Sequence, residues 1–298
     1  MELTRMRRSR QPADAAATAD TVLRLAVLLR SGIAPVRAWT VLDDGGDPVA
    51  ARVRAAAARG QDVAETLAAE GGPWREVAAA WSVATTVGAP LSDSLHDVAG
   101  ALRDGQQTAD EVRVALAEPA STARLLGWLP LVAVVLGVAL GFDTAVVLAT
   151  TPFGLVCLVA GVLLLLLARR WNAALVRRAQ PAAGIPGMAA ELTAIALSGG
   201  ASLERARDLV RETRAAAPDA DVDGVLALSR SAGVPAVELL RSAAWLARHR
   251  ARTDGRLRAA RLSSRLLLPL GVCTLPSFLL LGVAPMMLSI LSSGVLPV

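Results

Sequence analysis

At 298 residues, with 54% apolar content and a formal net charge of +5, the chain can bury a core, sit in a bilayer, or do both. Its basic residues are all arginine; the missing lysine excludes a Walker A loop and Schiff-base catalysis, so any ATP-driven role draws its energy from a partner. Two cysteines, Cys157 and Cys273, lie in apolar stretches, and the histidines His96 and His249 have no Cys or second His at metal-ligand spacing, so nothing points to a disulfide framework or a zinc site. Neither Gly-x-Ser-x-Gly nor His-Glu-x-x-His occurs, so no catalytic, cofactor-binding or metal-binding residue is assigned and no cofactor is expected.

The N-terminal stretch 1–19, MELTRMRRSR followed by QPADAAATAD, lacks the apolar core of a secretory signal and is read as a disordered basic segment. Residues 20–124 carry helical periodicity and almost no strand signal. Val22, Leu25, Leu28, Leu29, Ile33 and Val36 recur at three- and four-residue steps, with a break near Gly32. Val63 and Leu67 continue the pattern, and Gly71-Gly72-Pro73 stops it. Trp74, Val77, Trp81 and Ala84 make a further apolar face, then Leu91, Leu95, Val98 and Leu102 another. Asp110–Leu125 reads as a final helix feeding the membrane, interrupted at Glu118-Pro119. The segment is predicted to be a cytoplasmic bundle of five or six short antiparallel helices.

Three stretches are apolar enough to span a bilayer, and residues 125–168 form a predicted hairpin of two of them. The first is Leu125–Gly141; the second ends at Ala168 and starts between Ala145 and Gly154. Asp143 is read as a turn residue on the outer side. The third span falls within 266–291 and carries no charge, and residues 292–298 form a short external tail. Arg124, Arg169, Arg170, Arg177, Arg178, Arg261 and Arg265 flank the spans on one side only, which puts the N-terminus and both soluble segments in the cytoplasm. Trp128 and Trp171 sit near the inner ends of spans one and two. Pro130, Pro269, Pro276, Pro285 and the pair Gly137 and Gly141 read either as kinks and close contacts or as ordinary membrane-helix composition.

The second cytoplasmic segment, 169–265, has fewer and shorter helices, punctuated at Asp219–Asp223 and Gly233–Pro235. Between Arg241 and Arg265 eight arginines stand against one acid, Asp254. That stretch docks an acidic partner or anionic lipid on one reading, and is a plain positive-inside flank on the other. Aromatic stacking groups are absent apart from Trp245, which disfavours nucleic acid as a partner.

Residues 83–140 and 228–285 read as two copies of one unit. VATTVGAPLSDSLHDVAGALRD, with Gly88, Pro90 and Leu95, answers to LSRSAGVPAVELLRSAAWLARH, with Gly233, Pro235 and Leu240. Both passages run through an Arg-rich stretch into an apolar span with Leu-Pro near its start, Leu129-Pro130 and Leu275-Pro276. A weaker echo sets LAVLLRSGIAPVRAW against TAIALSGGASLERAR, superposing Gly32 on Gly200 and Arg37 on Arg205. The expected architecture is an all-α integral membrane protein with three transmembrane helices and two cytoplasmic helical segments related by internal duplication.

On the phrases LLRSGIAPVRAW and VGAPLSDSLHDVAGALR, the duplicated unit and the order soluble–span–span–soluble–span, the chain resembles the type II secretion system F family. These are the inner-membrane platform proteins of type II secretion, type IV pilus and tight-adherence pilus machines. Ala38 and Ala206 occupy the alanine positions of that family's opening helix turn. The resemblance implies a non-enzymatic role in which a cytoplasmic hexameric secretion ATPase docks on helices at 23–42 and 91–124. The spans would contact pilin or pseudopilin subunits, and the platform would be a homo-oligomer or be completed by a sister subunit of the same family. The chain's shortness favours the compact tight-adherence type, while the truncated second copy implies a partner surface lost or rebuilt. A transporter or permease component, and a membrane-anchored lipid-binding regulator, are the competing readings.

Overall fold

The computed structural model describes residues 2–139, 149–179, 184–214, 220–265, 267–285 and 287, and among these every regular element is helical. Eleven helices are used below: α1 (Glu2–Arg30), α2 (Pro35–Asp44), α3 (Pro48–Ala58), α4 (Val63–Glu70), α5 (Trp74–Val87), α6 (Leu91–Ala139), α7 (Pro152–Ala179), α8 (Met188–Ser198), α9 (Leu203–Thr213), α10 (Ala220–Ala232) and α11 (Ala236–Arg265). The chain divides into two compact units. One holds residues 1–110 and 182–253, the other 111–181 and 254–298.

In the first unit the short helices start where local chemistry satisfies their open N–H groups. The Asp47 carboxylate accepts from Val49 N and Ala50 N ahead of Pro48, Asp62 accepts from Ala64 N, and Ser202 Oγ accepts from Arg205 N. Thr21 Oγ1 also donates to Asp47, at 2.5 Å, which ties α1 to the α2–α3 corner. The larger core gathers Leu25, Trp39, Leu67, Trp81 and Leu95 from the first segment with Met188, Leu192 and Ile195 of α8. Trp39 and Trp81 meet tilted at 45° with ring centroids 5.9 Å apart. A smaller core joins Ala194 to Val222, Leu226, Leu240 and Ala244.

Among the glycines that end helices with positive φ, four fall into two pairs that match between the two segments. Gly32 and Gly200 have φ of +87° and +85°. Ile33 N donates to Leu28 O at 3.2 Å and Ala201 N to Ala196 O at 3.3 Å, the same six-residue closure in both turns. Gly88 and Gly233 have φ of +73° and +68°, and here Ala89 N donates to Ala84 O and Val234 N to Ser229 O. Ala38 and Ala206 are both fully buried, as are Leu95 and Leu240.

The second unit is apolar and packs α7 against the helical stretch 267–285. Within that stretch two π-helical turns, Leu270–Thr274 and Leu279–Val283, flank the α-helical Leu275–Phe278 with its Pro276. Ser277 Oγ is buried and donates to Gly161 O at 2.9 Å, and Gly161 lies so close to Leu281 that no Cβ would fit. Among the described residues one segment, Pro152–Leu175, is long and apolar enough to cross a membrane. Phe153, Val156, Val159 and Leu163 on it are exposed, as a lipid-facing surface would be.

Several expectations are sharpened or revised. α7 starts at Pro152, with Thr151 Oγ1 accepting from Gly154 N, which sets the uncertain start of the second apolar stretch. α6 runs unbroken through Pro119 where an interruption was expected; a proline removes a single intrahelical bond, and the turns on either side keep theirs. α1 is helical from Glu2, within the stretch 1–19 read as disordered. The predicted turn at Asp143 and the tail 292–298 lie outside the described residues.

Glycine chemistry separates packing from backbone freedom in a testable way. At Gly199 a Cβ would stand 2.3 Å from Val87 Cγ2 and 2.8 Å from Val87 O, whereas at Gly105, inside α6, it would meet open space. Gly199→Ala should therefore cost about 1–3 kcal/mol through overpacking, and Gly105→Ala should add about 0.5–1 kcal/mol by removing helix-interior glycine. Thermal unfolding of the full chain in detergent reads both; equal effects would refute the close contact at Gly199.

Candidate functional site: the charged seam of the first unit

α8 is buried around its whole circumference, from Met188 to Ala196, and it includes the carboxylate Glu191. Glu191 receives Arg248 Nη1 of α11 at 3.2 Å, and Arg248 Nε reaches Asp104 of α6, also at 3.2 Å. One α-helical turn pair earlier, Arg241 Nη2 stands 3.2 Å from Asp97 Oδ2 as an ion pair that is not aligned as a hydrogen bond. The contacts Asp97–Arg241 and Asp104–Arg248 are spaced by seven residues on both helices, so α6 and α11 run side by side and parallel here. In the second unit Arg256 Nε donates to Glu111 at 2.8 Å, again seven residues on from Asp104.

Three carboxylates share two guanidinium groups in the first-unit seam, with Glu191 and Arg248 shielded and Asp97, Asp104 and Arg241 partly exposed. Burial pushes the Glu191 carboxyl above its usual range, with Arg248 pulling it back down. Burial likewise raises Asp97, opposed chiefly by Arg241. Elsewhere α1 is tied to α6 by Arg103 to Asp20 at 2.8 Å and Arg30 to Asp93 at 3.0 Å, both exposed pairs of small energetic weight. Glu76 of α5 is also raised by burial, its Oε2 having no partner.

The arrangement accounts for most of the basic stretch Arg241–Arg265. Arg241, Arg248, Arg250 and Arg256 pair with Asp97, Asp104 and Glu191, Asp221, and Glu111, and Arg258 Nε donates to the carbonyl of Asp254. His249 lies on Trp245 with rings nearly parallel and centroids 5.3 Å apart. Gly32 and Gly88 hold backbone turns, and Arg37 is exposed on α2. Sequence reasoning missed Asp97, Asp104 and Glu191. The seven-residue spacing of the acids Asp97, Asp104 and Glu111 against Arg241 and Arg248 is the signal that finds the first two; nothing local marks Glu191. Among the described residues no group of three or more His, Cys, Asp or Glu is placed to hold a metal ion.

Two outcomes follow from the seam. Arg248→Ala leaves Glu191 buried without a counter-charge and should destabilise the protein by about 3–5 kcal/mol. Because the folded state raises Glu191 and Asp97, it binds protons more readily than the unfolded chain. Stability from these groups should rise as the pH is lowered from neutral toward the ordinary carboxylate range near about 4. Thermal unfolding against pH should show that slope, and Glu191→Gln should flatten it.

Residues 21–139 match the family model described as "Type II secretion system (T2SS), protein F". The match takes in α2 to α6 and the last ten residues of α1; the second passage, from α8 onward, lies outside it. No curated protein and no solved structure matches the chain. With helices α1–α6 capped, packed and matched in this way, the chain carries over residues 21–139 a domain of the type II secretion system protein F family.

Proposed function

We propose that the chain is a non-enzymatic inner-membrane platform protein of a pilus or type II secretion-like machine. It couples a cytoplasmic hexameric ATPase to the extraction of pilin or pseudopilin subunits and to filament assembly. The observation that carries this reading is the family match over the first passage, together with a second passage that repeats its turns bond for bond at Gly200 and Gly233. We read the two as copies of one unit. Each ends in a long helix, α6 or α11, leading to an apolar stretch, which supports three spans with the N-terminus cytoplasmic and the C-terminus external. The soluble segments are then 20–124 and 169–265, and the membrane segments 125–168 and 266–291.

The copies differ most in length between their two glycine turns. Gly32 and Gly88 are 56 residues apart, Gly200 and Gly233 only 33, and the missing length equals Pro48–Glu70, the α3–α4 pair. α2 answers to α9 and α5 to α10, so Trp39 and Ala78 of the first copy become Arg207 and Asp223 of the second, and these two form an ion pair. Polar groups thus stand where the helical hairpin covers apolar ones in the first copy. The partner surface built on that hairpin belongs to the first copy alone, which favours residues 20–124 as the ATPase-facing side. A lipid-binding regulator acting through Arg241–Arg265 is disfavoured, since four of those arginines are committed to carboxylates within the chain.

Mild crosslinking in native membranes, capture of the chain and mass spectrometry test the proposal. A P-loop secretion ATPase crosslinked to residues 20–124, with pilin crosslinked near the apolar stretches, is the expected result. Recovery without either, in cells that express the machine, overturns it.

A further inference from the structure

In the first passage one composite face is occupied. Gly199, at the end of α8, closes on Val87 and Ala89. Val83 and Ala89 are buried, and Asp97 and Asp104 of α6 meet Arg241 and Arg248 of α11. The same positions in the second passage, 145 residues on, are Leu228, Ala232, Val234, Ser242 and His249. All five are exposed, Leu228 by 54% and Val234 by 42%, where Val83 and Ala89 are exposed by 1% and 8%. Trp245, 57% exposed, lies between Ser242 and His249 and is stacked on the latter. The second passage therefore presents the face that the first uses for docking α8, larger at Leu228 and Val234, smaller at Ala232, and without its carboxylates.

The complementary face also exists twice. The side of α8 formed by Leu192, Ile195 and Gly199 corresponds, 168 residues back, to Arg24, Val27 and Ser31 of α1. Ile195 is buried; Val27 is 57% exposed, and Arg24 and Ser31 are exposed. Arg241 and Arg248 correspond to His96 and Arg103 of α6. One contact is made inside the chain, and its two halves recur unsatisfied, one at each end of the repeat. A contact of that heterologous kind continues from molecule to molecule.

We propose that a second copy of this chain docks head to tail, the end of its α1 and the α1–α2 turn seating on the α10–α11 face of the first. The substitutions between corresponding positions compensate. Gly199 faces Val87 within the chain, and between chains Ser31 faces Ala232, a side chain gained on one side and reduced on the other. Ile195 gives way to Val27 while Val83 gives way to Leu228. Removal of Asp97 and Asp104 in favour of Ser242 and His249 avoids burying a carboxylate opposite Arg103, which Asp20 already holds. The proposal rests on the two passages being copies and is independent of which ATPase or pilin the chain serves.

The test uses the full chain in native membranes, with Cys157→Ala and Cys273→Ala as background. One tagged copy carries Ser31→Cys, and a second, differently tagged copy carries Ala232→Cys. Mild oxidation should join the mixed pair by a disulfide, with little joining of either variant to itself. The mixed product should be lost when Leu228→Asp is added to the second copy or Val27→Asp to the first. Val27 is a surface residue, so that variant keeps the fold. Absence of the mixed disulfide overturns the proposal. So does equal linkage of like with like, which would mean an isologous contact, and so does capture of a different protein at Ala232→Cys. A failed ATPase crosslink with an intact mixed disulfide would count against the platform role and leave the head-to-tail contact standing.

Discussion

Nine consecutive residues of α8 are buried, Met188–Ala196, and one of them carries a charge. A carboxylate in that setting is costly unless a cation is brought to it, and Arg248 is the cation. Satisfying Glu191 places α11 against α8, and the second nitrogen of the same guanidinium reaches Asp104 and places α11 against α6. Two segments separated in sequence by an apolar stretch are thereby held in one unit. The larger core then extends through both, from Leu25 and Trp81 to Leu192 and Ile195. Removal of water from the apolar surfaces supplies most of the driving force, and the ion pairs set the register.

The repeated turns show how one local device serves in two settings. Gly32 and Gly200 close their helices through the same carbonyl positions, as do Gly88 and Gly233, because only glycine enters that backbone region without cost. What surrounds them is not repeated. The first passage covers Trp39 with α3 and α4, while the second leaves Arg207 at the matching position and pairs it with Asp223. The two segments thus share their glycine turns and buried alanines, while one has a covered face where the other has a solvated one.

The apolar unit follows different rules. Its packing is by small groups in close approach, Gly161 on Leu281 and Ser277 on the Gly161 carbonyl, with large aliphatic side chains turned outward. The π-helical turns on either side of Pro276 widen the helix where the proline lacks an N–H to donate. An aqueous core would reward burying those aliphatic groups; a lipid surface removes that reward and leaves contact geometry to decide.

Helices and their glycine stops were legible in the chain itself, because each depends on a few neighbouring residues: Gly88 after Val87, a three- and four-residue apolar step from Val22 to Val36. The matching glycine turns of the two segments were legible for the same reason, since they are local devices. The family likeness followed from them and holds over residues 21–139. Tertiary structure alone decided that α8 is buried on every side, that Glu191 meets Arg248, and that α6 passes unbroken through Pro119. A periodicity states which face of a helix seeks cover, whereas the identity of the cover, and the partner of each buried charge, depends on residues 57 and 144 positions away that no local pattern specifies.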